Sequence, residues 1–267
     1  MNEKREVSIE EIFDYLQCPL RHHMRHERKI EVVTKDAVQG IAYKEAFHQT
    51  LYFYYHSMQQ GRIPTLKQMY EKFAKLWHEK SELPMEGVLV EDLAQSTREA
   101  RIRKEKYLHN GYKLIQKFYA TERKKEQTPI AVNHPYRIAV GDIVVTGSFE
   151  LVRERVDKER PTRFIEVVDF RTSMRKPEGF FLRHDLHATF MHYAFLSVFG
   201  KQPDYFVLDY VGAGEEVAFE RSANDYKRMM AALKGAVNGM SHGDVYPRQG
   251  IHCKQCPVRD ACDRWEF

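Results

Sequence analysis

Four cysteines carry the most specific chemistry in this chain. Three lie near its end, in Cys253-Lys-Gln-Cys256-Pro-Val-Arg-Asp-Ala-Cys262, and the fourth, Cys18, lies near its start in Tyr15-Leu-Gln-Cys18-Pro-Leu-Arg21. Thiolates at this C-x2-C-x5-C spacing can converge on one centre, and an all-sulfur set of four suits zinc or an iron-sulfur cluster. Such a centre would tie the two ends of the chain together. Two disulfides, or four unrelated buried thiols, are the bland alternatives. Residues 1–12 are charged and lack an apolar core, which leads us to expect a cytoplasmic, reducing setting that disfavours disulfides.

A second group is acidic. Glu150 follows Gly147-Ser-Phe, and Asp169 stands in Glu166-Val-Val-Asp169-Phe-Arg171-Thr. On neighbouring strands the two carboxylates can meet at one point and hold a divalent cation, which lowers the pKa of a bound water and offsets charge building on a phosphate. Taken alone, these are ordinary strand-end acids. The formal charge of +4 is mild, so any nucleic-acid reading rests on local basic runs at Arg21–Lys29, Arg98–Lys106 and Arg171–Lys176. Each run alone is equally a solvated helix face. Arg171, Arg175 and Lys176 follow the Asp169 strand directly, where a passing phosphate backbone needs neutralising, and Arg21 adds charge beside Cys18. The aromatic stretch Tyr52-Phe-Tyr-Tyr55 offers stacking faces for unpaired bases, with core packing as the alternative.

The elements that must position these groups are legible from periodicity. Ser8-Ile-Glu-Glu11 is a capping-box pattern starting a helix through Ile12, Phe13 and Leu16 that Pro19 interrupts. Further helices are expected over 37–58, 66–79 and 90–123, all preceding any strand. From Thr128 the period becomes two, giving strands at 130–139 and 143–153 joined by Val140-Gly-Asp142, then a nearly continuous apolar strand at 164–170. A helix over 182–198, strands at 205–210 and 216–219, and a helix over 222–240 complete the order. No run approaches the roughly 18 apolar residues that span a bilayer, so no membrane association is expected.

In one order along the chain stand Ser8–Arg21, the glycine-led Gly40-Ile-Ala-Tyr-Lys44-Glu-Ala-Phe-His48, Gly147–Val152, Val168-Asp169-Phe-Arg171-Thr, Tyr193-Ala and the terminal cysteines. That order resembles the PD-(D/E)XK nuclease superfamily, in its RecB-like iron-sulfur branch of AddB-type and CRISPR-associated exonucleases. The resemblance implies an α/β fold: a restriction-endonuclease-like core, with a mixed central sheet flanked by helices, in a single domain over 1–267. It also implies a helical insertion at 60–125 and a cysteine tail at 245–267, stapled to Cys18 by a [4Fe-4S] cluster on Cys18, Cys253, Cys256 and Cys262. By the same resemblance the protein hydrolyses single-stranded or end-containing DNA with Mg2+ or Mn2+, in repair, recombination or CRISPR and phage defence, beside a helicase or integrase-type partner.

The branch typically carries histidine on the glycine-led helix, aspartate after the second strand, an acid and then lysine on the third, and glutamine and tyrosine on the next helix. The matching positions here are Lys44, Glu150, Asp169, Arg171, Thr189 and Tyr193. Asp169 and Tyr193 match outright, and Glu150 keeps a hard oxygen donor. Protonated Lys44 cannot ligate a metal. His48, one turn on, supplies an imidazole only if the helix is shifted. Arg171 keeps the charge of the usual lysine but cannot act as a base, and its fork suits phosphate oxygens. The altered set admits two readings: a metal-dependent nuclease in which Lys44 orients the water, or a degenerate nuclease fold that binds DNA as a structural or recruiting subunit.

Overall fold

The computed structural model describes residues 5–30, 32–82, 89–91, 97–141, 143–156, 162–173 and 179–265. It is a sheet between two helical layers. A short strand β1 (Arg5–Ser8) runs directly into helix α1 (Ile9–Gln17), whose first turn is capped as the Ser8-x-x-Glu11 pattern predicts, the Glu11 N–H donating to Ser8 Oγ at 3.1 Å. Cys18 takes extended backbone between α1 and α2 (Pro19–His22), and Pro19 opens the latter where its missing N–H costs nothing. A single π turn (His23–Glu27) and strand β2 (Val32–Thr34) lead to α3 (Lys35–Gln59) and α4 (Leu66–Glu82). Strand β3 (Leu89–Glu91) precedes α5 (Thr97–Glu122).

Two expectations are corrected here. Strands do precede the long helices: β1 joins the main sheet, and β2 pairs in parallel with β3, so the fourth helix starts at Thr97 rather than at 90. Strands of three or four residues are too short to show a period, and β1 buries a single side chain well, Val7.

The main sheet follows from β4 (Gln127–Val140), β5 (Ile143–Val156), β6 (Arg163–Arg171), β7 (Tyr205–Tyr210) and β8 (Glu215–Phe219). Its order is β1-β5-β6-β7-β8, with β4 also on β5; β1–β5 and β6–β7 are parallel, the other pairs antiparallel. Between β6 and β7 the expected single helix is two, α6 (Gly179–Arg183) and α7 (Leu186–Phe199), because Asp185 breaks the run and caps α7, accepting the Ala188 N–H at 2.9 Å. Helix α8 (Ala223–His242) starts at a capping box on Ser222 and Asp225, and the tail ends in a 3-10 turn (Ile251–Gln255) and α9 (Arg259–Asp263).

Each face of the sheet carries its own core. On one, Val145, Phe149, Val167, Phe206 and Leu208 meet Ile12 of α1, Phe190 and Phe195 of α7, and Leu233 of α8. On the other, Leu151, Val168, Phe170 and Val207 meet Phe47 and Leu51 of α3, Phe73 of α4 and Ile115 of α5. Strand β6 is therefore buried on both faces, which is why it reads as a continuous apolar run. Tyr54 and Tyr55 belong to the second core at 1% and 0% exposure, so the stacking role considered for them is replaced by packing.

Candidate active site and cysteine centre

Strand β5 has two edges, and β4 occupies one of them along its length. On the other, β1 pairs with Ile143–Thr146 and β6 with Leu151–Val156, which leaves Gly147–Glu150 without a ladder partner on that side among the described residues. The sheet is split there. The pleat also turns over at the split: Phe149 lies in the first core and Leu151, two residues on, in the second. Directly across from Glu150, Asn133 adopts a left-handed φ of 44°, a distortion asparagine tolerates. The result is a local distortion, without a change of register, that re-aims a carboxylate into a gap in the sheet. Gly147 is needed for a different reason: a Cβ there would lie 2.2 Å from the hydroxyl of Tyr136 on β4.

Around this gap lies a cleft of about 810 Å³, lined by Glu10, Phe13 and Gln17 of α1, Arg21 of α2, Lys44 and Tyr52 of α3, Tyr136 and Glu150 of the sheet, Asp169 and Arg171 of β6, and His187 and Met191 of α7. Helix α3 presents positions 44, 48 and 52, spaced four apart on one face. His48 Nδ1 donates to Glu150 Oε1 at 2.6 Å, the Tyr52 hydroxyl to the same oxygen at 3.3 Å, and the Phe170 N–H to Oε2 at 2.5 Å. The helix therefore sits so that His48 reaches the site while Lys44 lines its mouth.

The two acids differ in state because their neighbours differ. Burial opposes ionisation of Glu150, but hydrogen bonds from His48 and the Phe170 N–H outweigh it and hold the carboxyl at about 2. Burial and the adjacent Glu150 charge push Asp169 well above its ordinary range, against the pull of Arg171 and Lys44. The Arg171 guanidinium lies 2.5 Å from Asp169 Oδ2, and His187 Nδ1 lies 3.7 Å from the same oxygen. Burial, followed by the Arg171 charge, lowers His187 to about 4, so the ring is neutral at physiological pH. Burial, helped by Glu150, raises the Tyr52 hydroxyl far above its usual range and keeps it a donor.

Two carboxyls at one point, one of them pushed away from ionisation by burial and by the other's charge, form a set that a hard divalent cation relieves of repulsion. Among the described residues, Asp169 Oδ2 is buried without an aligned hydrogen bond, as are His48 Nε2 and His187 Nδ1. This donor set fits Mg2+ or Mn2+. A second acidic group, Glu122, Asp209 and Glu216, brings ligand atoms within 4.8 Å of one another, but Lys125 and Arg153 already neutralise it.

Of the other residues singled out from sequence, Tyr193 packs its ring on Tyr226 of α8 and Thr189 accepts from Arg221 Nε at 2.9 Å. Neither lines the cleft; α7 turns His187 and Met191, also four apart, towards it instead. His187 went unremarked in the sequence because its partners lie on β6 and not on its own helix. Arg21 lines the cleft wall and, with Arg25 and His26, pairs with Asp14. Arg175 and Lys176 lie outside the described residues.

The four cysteines line a second cavity of about 440 Å³ together with Leu20, Arg248 and Val258, and Arg21 borders this cavity as well. None of the four is joined in a disulfide. The Arg248 N–H donates to Cys18 Sγ at 3.4 Å, and Leu20 N–H to the Tyr246 carbonyl at 3.0 Å. Burial, then the neighbouring thiols and Asp263, push Cys262 up, the cost of crowding four sulfurs that a thiophilic metal or cluster removes.

With split sheet, paired acids and cleft in view, the chain is a mixed α/β protein built as a nuclease core. The family model of the PD-(D/E)XK nuclease superfamily matches residues 6–263, and the chain belongs to that superfamily. No curated protein matches it in sequence. Members of that superfamily are generally metal-dependent nucleases, and a nuclease fold implies DNA as substrate. Among the described residues no helix is long and apolar enough to cross a membrane.

Proposed function

We propose that this protein is a divalent-metal-dependent deoxyribonuclease of the RecB-like iron-sulfur branch, cutting single-stranded or frayed DNA ends. The observation that carries the proposal is the Glu150–Asp169 pair at the floor of a cleft walled by Lys44, Arg171 and Arg21. Glu150, Asp169 and the carbonyl after Asp169 would hold Mg2+ or Mn2+. When bound, the ion supplies an activated water at neutral pH and offsets charge on the phosphate. His48 and Tyr52 fix the Glu150 carboxylate from behind, so it keeps one orientation. Lys44 at the cleft mouth orients the attacking water, and Arg171, released from Asp169, clamps phosphate oxygens through its fork. Arg21 tracks the backbone on the α1–α2 wall, a role that Arg175 and Lys176 extend.

Cys18, Cys253, Cys256 and Cys262 hold a [4Fe-4S] cluster in this reading, with zinc the chemical alternative. Residues 1–267 form one nuclease domain, 60–125 its helical insertion and 245–267 its cysteine tail. The setting is cytoplasmic DNA repair, recombination or defence beside a helicase or integrase-type partner.

One observation favours a second reading. Arg171 is paired to Asp169 at 2.5 Å, the arrangement expected of a decayed site that binds DNA without cutting it. The assay that separates the two is cleavage of end-labelled single-stranded DNA with Mn2+ or Mg2+. Asp169→Asn and Lys44→Ala should each slow it on the order of 10²-fold or more. Parental rates in Asp169→Asn would place the activity elsewhere, and salt-sensitive DNA binding with no cleavage by the parent would establish the second reading.

A further inference from the structure

We infer that His187 is a nitrogen ligand of the divalent-ion site, binding through Nδ1 alongside Asp169 and Glu150. The inference rests on the metal-dependent reading above and adds a residue that the sequence analysis did not assign.

Two atoms make the case. His187 Nδ1 and Asp169 Oδ2 are both buried, and neither has an aligned hydrogen-bond partner among the described residues. Buried polar atoms are nearly always satisfied; Asp169 Oδ2 has the Arg171 guanidinium beside it, but His187 Nδ1 has no such partner among the described residues and needs a reason. The two atoms are 3.7 Å apart, too far for a hydrogen bond to each other. Donors that share one ion at about 2.0–2.2 Å lie roughly 3 to 4.3 Å apart, depending on the angle between them, and the observed spacing falls within that range. Arg171 lies against the same Asp169 oxygen, so the position beside these atoms already attracts positive charge.

The support of His187 suits a ligand. It stands in the first turn of α7, which is fixed by the Asp185 cap, and its ring packs on Phe13 of α1 at 5.6 Å. Rigid elements hold ligands to the accuracy a metal requires. The competing imidazole, His48, comes from the opposite helical layer, and its Nδ1 is committed to Glu150. Its Nε2 is also buried without an aligned partner among the described residues, but the ring buttresses Glu150 through Nδ1, whereas His187 turns its unpartnered Nδ1 to Asp169 at 3.7 Å. The chemical consequence is selectivity: an imidazole in an otherwise oxygen set raises affinity for Mn2+ relative to Mg2+.

The test is pulsed electron paramagnetic resonance of Mn2+ bound to the full-length protein. The parent should show hyperfine coupling to one nitrogen, which converts to the 15N pattern when histidine alone is 15N-labelled. This readout requires no substitution. The coupling should survive in His48→Gln and vanish in His187→Gln, whose Mn2+ affinity should fall about tenfold or more while its Mg2+ affinity changes less. Mn2+ that binds without histidine coupling in the parent, or coupling retained in His187→Gln, overturns the inference and leaves the metal-dependent reading standing. Failure to bind Mn2+ in any manner sensitive to Asp169→Asn overturns that reading, and the inference with it.

Discussion

Glu150 and Asp169 are two carboxyls in one cleft with opposite tendencies, and the difference lies wholly in the groups that touch them. Glu150 accepts three hydrogen bonds and is held at about 2, whereas Asp169, buried beside that charge, is pushed well above its ordinary range. Residue type alone marked both as candidates; the states depend on contacts made across more than a hundred positions of sequence. The same holds for histidines. His192 on α7 is 2% exposed, accepts from the Tyr226 hydroxyl at 2.5 Å, and is lowered to about 4 by burial and by Arg221. Its folded value lies below the ordinary 6.5, so its contribution to stability is fully present above about pH 6.5 and is lost as pH falls towards 4. The loss should approach 1.4 kcal/mol per pH unit across that window. Denaturant titrations at pH 7.5, 6 and 5 should show a shallower acid limb in His192→Gln than in the parent; parallel limbs would mean the ring is not the group that titrates.

At the scale of elements, the sequence made the long strands and helices visible because their periods run for many residues. It concealed the feature that builds the site, the split edge of β5, because β1 is four residues long and the pleat reversal at Glu150 depends on Asn133 across the ladder. The opposite end of the same strand was equally illegible. Arg153 on β5 is completely buried, with Nε to Glu166 at 2.7 Å, one terminal nitrogen to Glu216 at 2.8 Å and the other to Gln127 at 2.9 Å. Lys125 joins Glu122 and Glu216 to this network, and the Tyr55 hydroxyl donates to Glu122 at 2.7 Å. An arginine in a strand reads as an outward-facing residue, yet this one ties β4, β5, β6 and β8 together below the helical layer. Glu216 keeps Lys125 and Arg155, but removing Arg153 leaves buried Glu166 only the more distant Arg155 at 3.8 Å, so Arg153→Ala should lose about 3 kcal/mol or more in chemical denaturation. A loss under 1 kcal/mol, roughly what an exposed pair gives, would show that water replaces the guanidinium freely.

Across the whole molecule, the cysteine cavity and the cleft are two ends of one short helix. Ile9, Phe13 and Leu16 of α1 line the cleft, Cys18 immediately after it lines the cysteine cavity, and Arg21 borders both. The contact between Cys18 and Arg248 spans 230 residues of chain. A covalent or metal closure of that length removes freedom from the unfolded state on the order of 5 kcal/mol in the chain-entropy account. That Cys18 lies beside the three tail cysteines was legible from sequence, because sulfur chemistry needs few residues and declares its spacing openly. The remaining wall of the cleft was not foreseen, since nothing in Ile9-Glu-Glu-Ile-Phe13 indicates which surface the helix will cover. In the proposed reading, one centre on the four cysteines serves two properties. Cys18→Ser should lose its bound metal or cluster, melt well below the parent, and bind single-stranded DNA more weakly, because the α1 wall loses its anchor along with the fold's closure. Metal analysis, a melting curve and a salt-dependent binding titration on the same preparation decide it. A metal-free Cys18→Ser that melts and binds as the parent does would show that α1 is held in place by its apolar packing on α8 and the sheet, and that the cysteines serve some purpose other than closure.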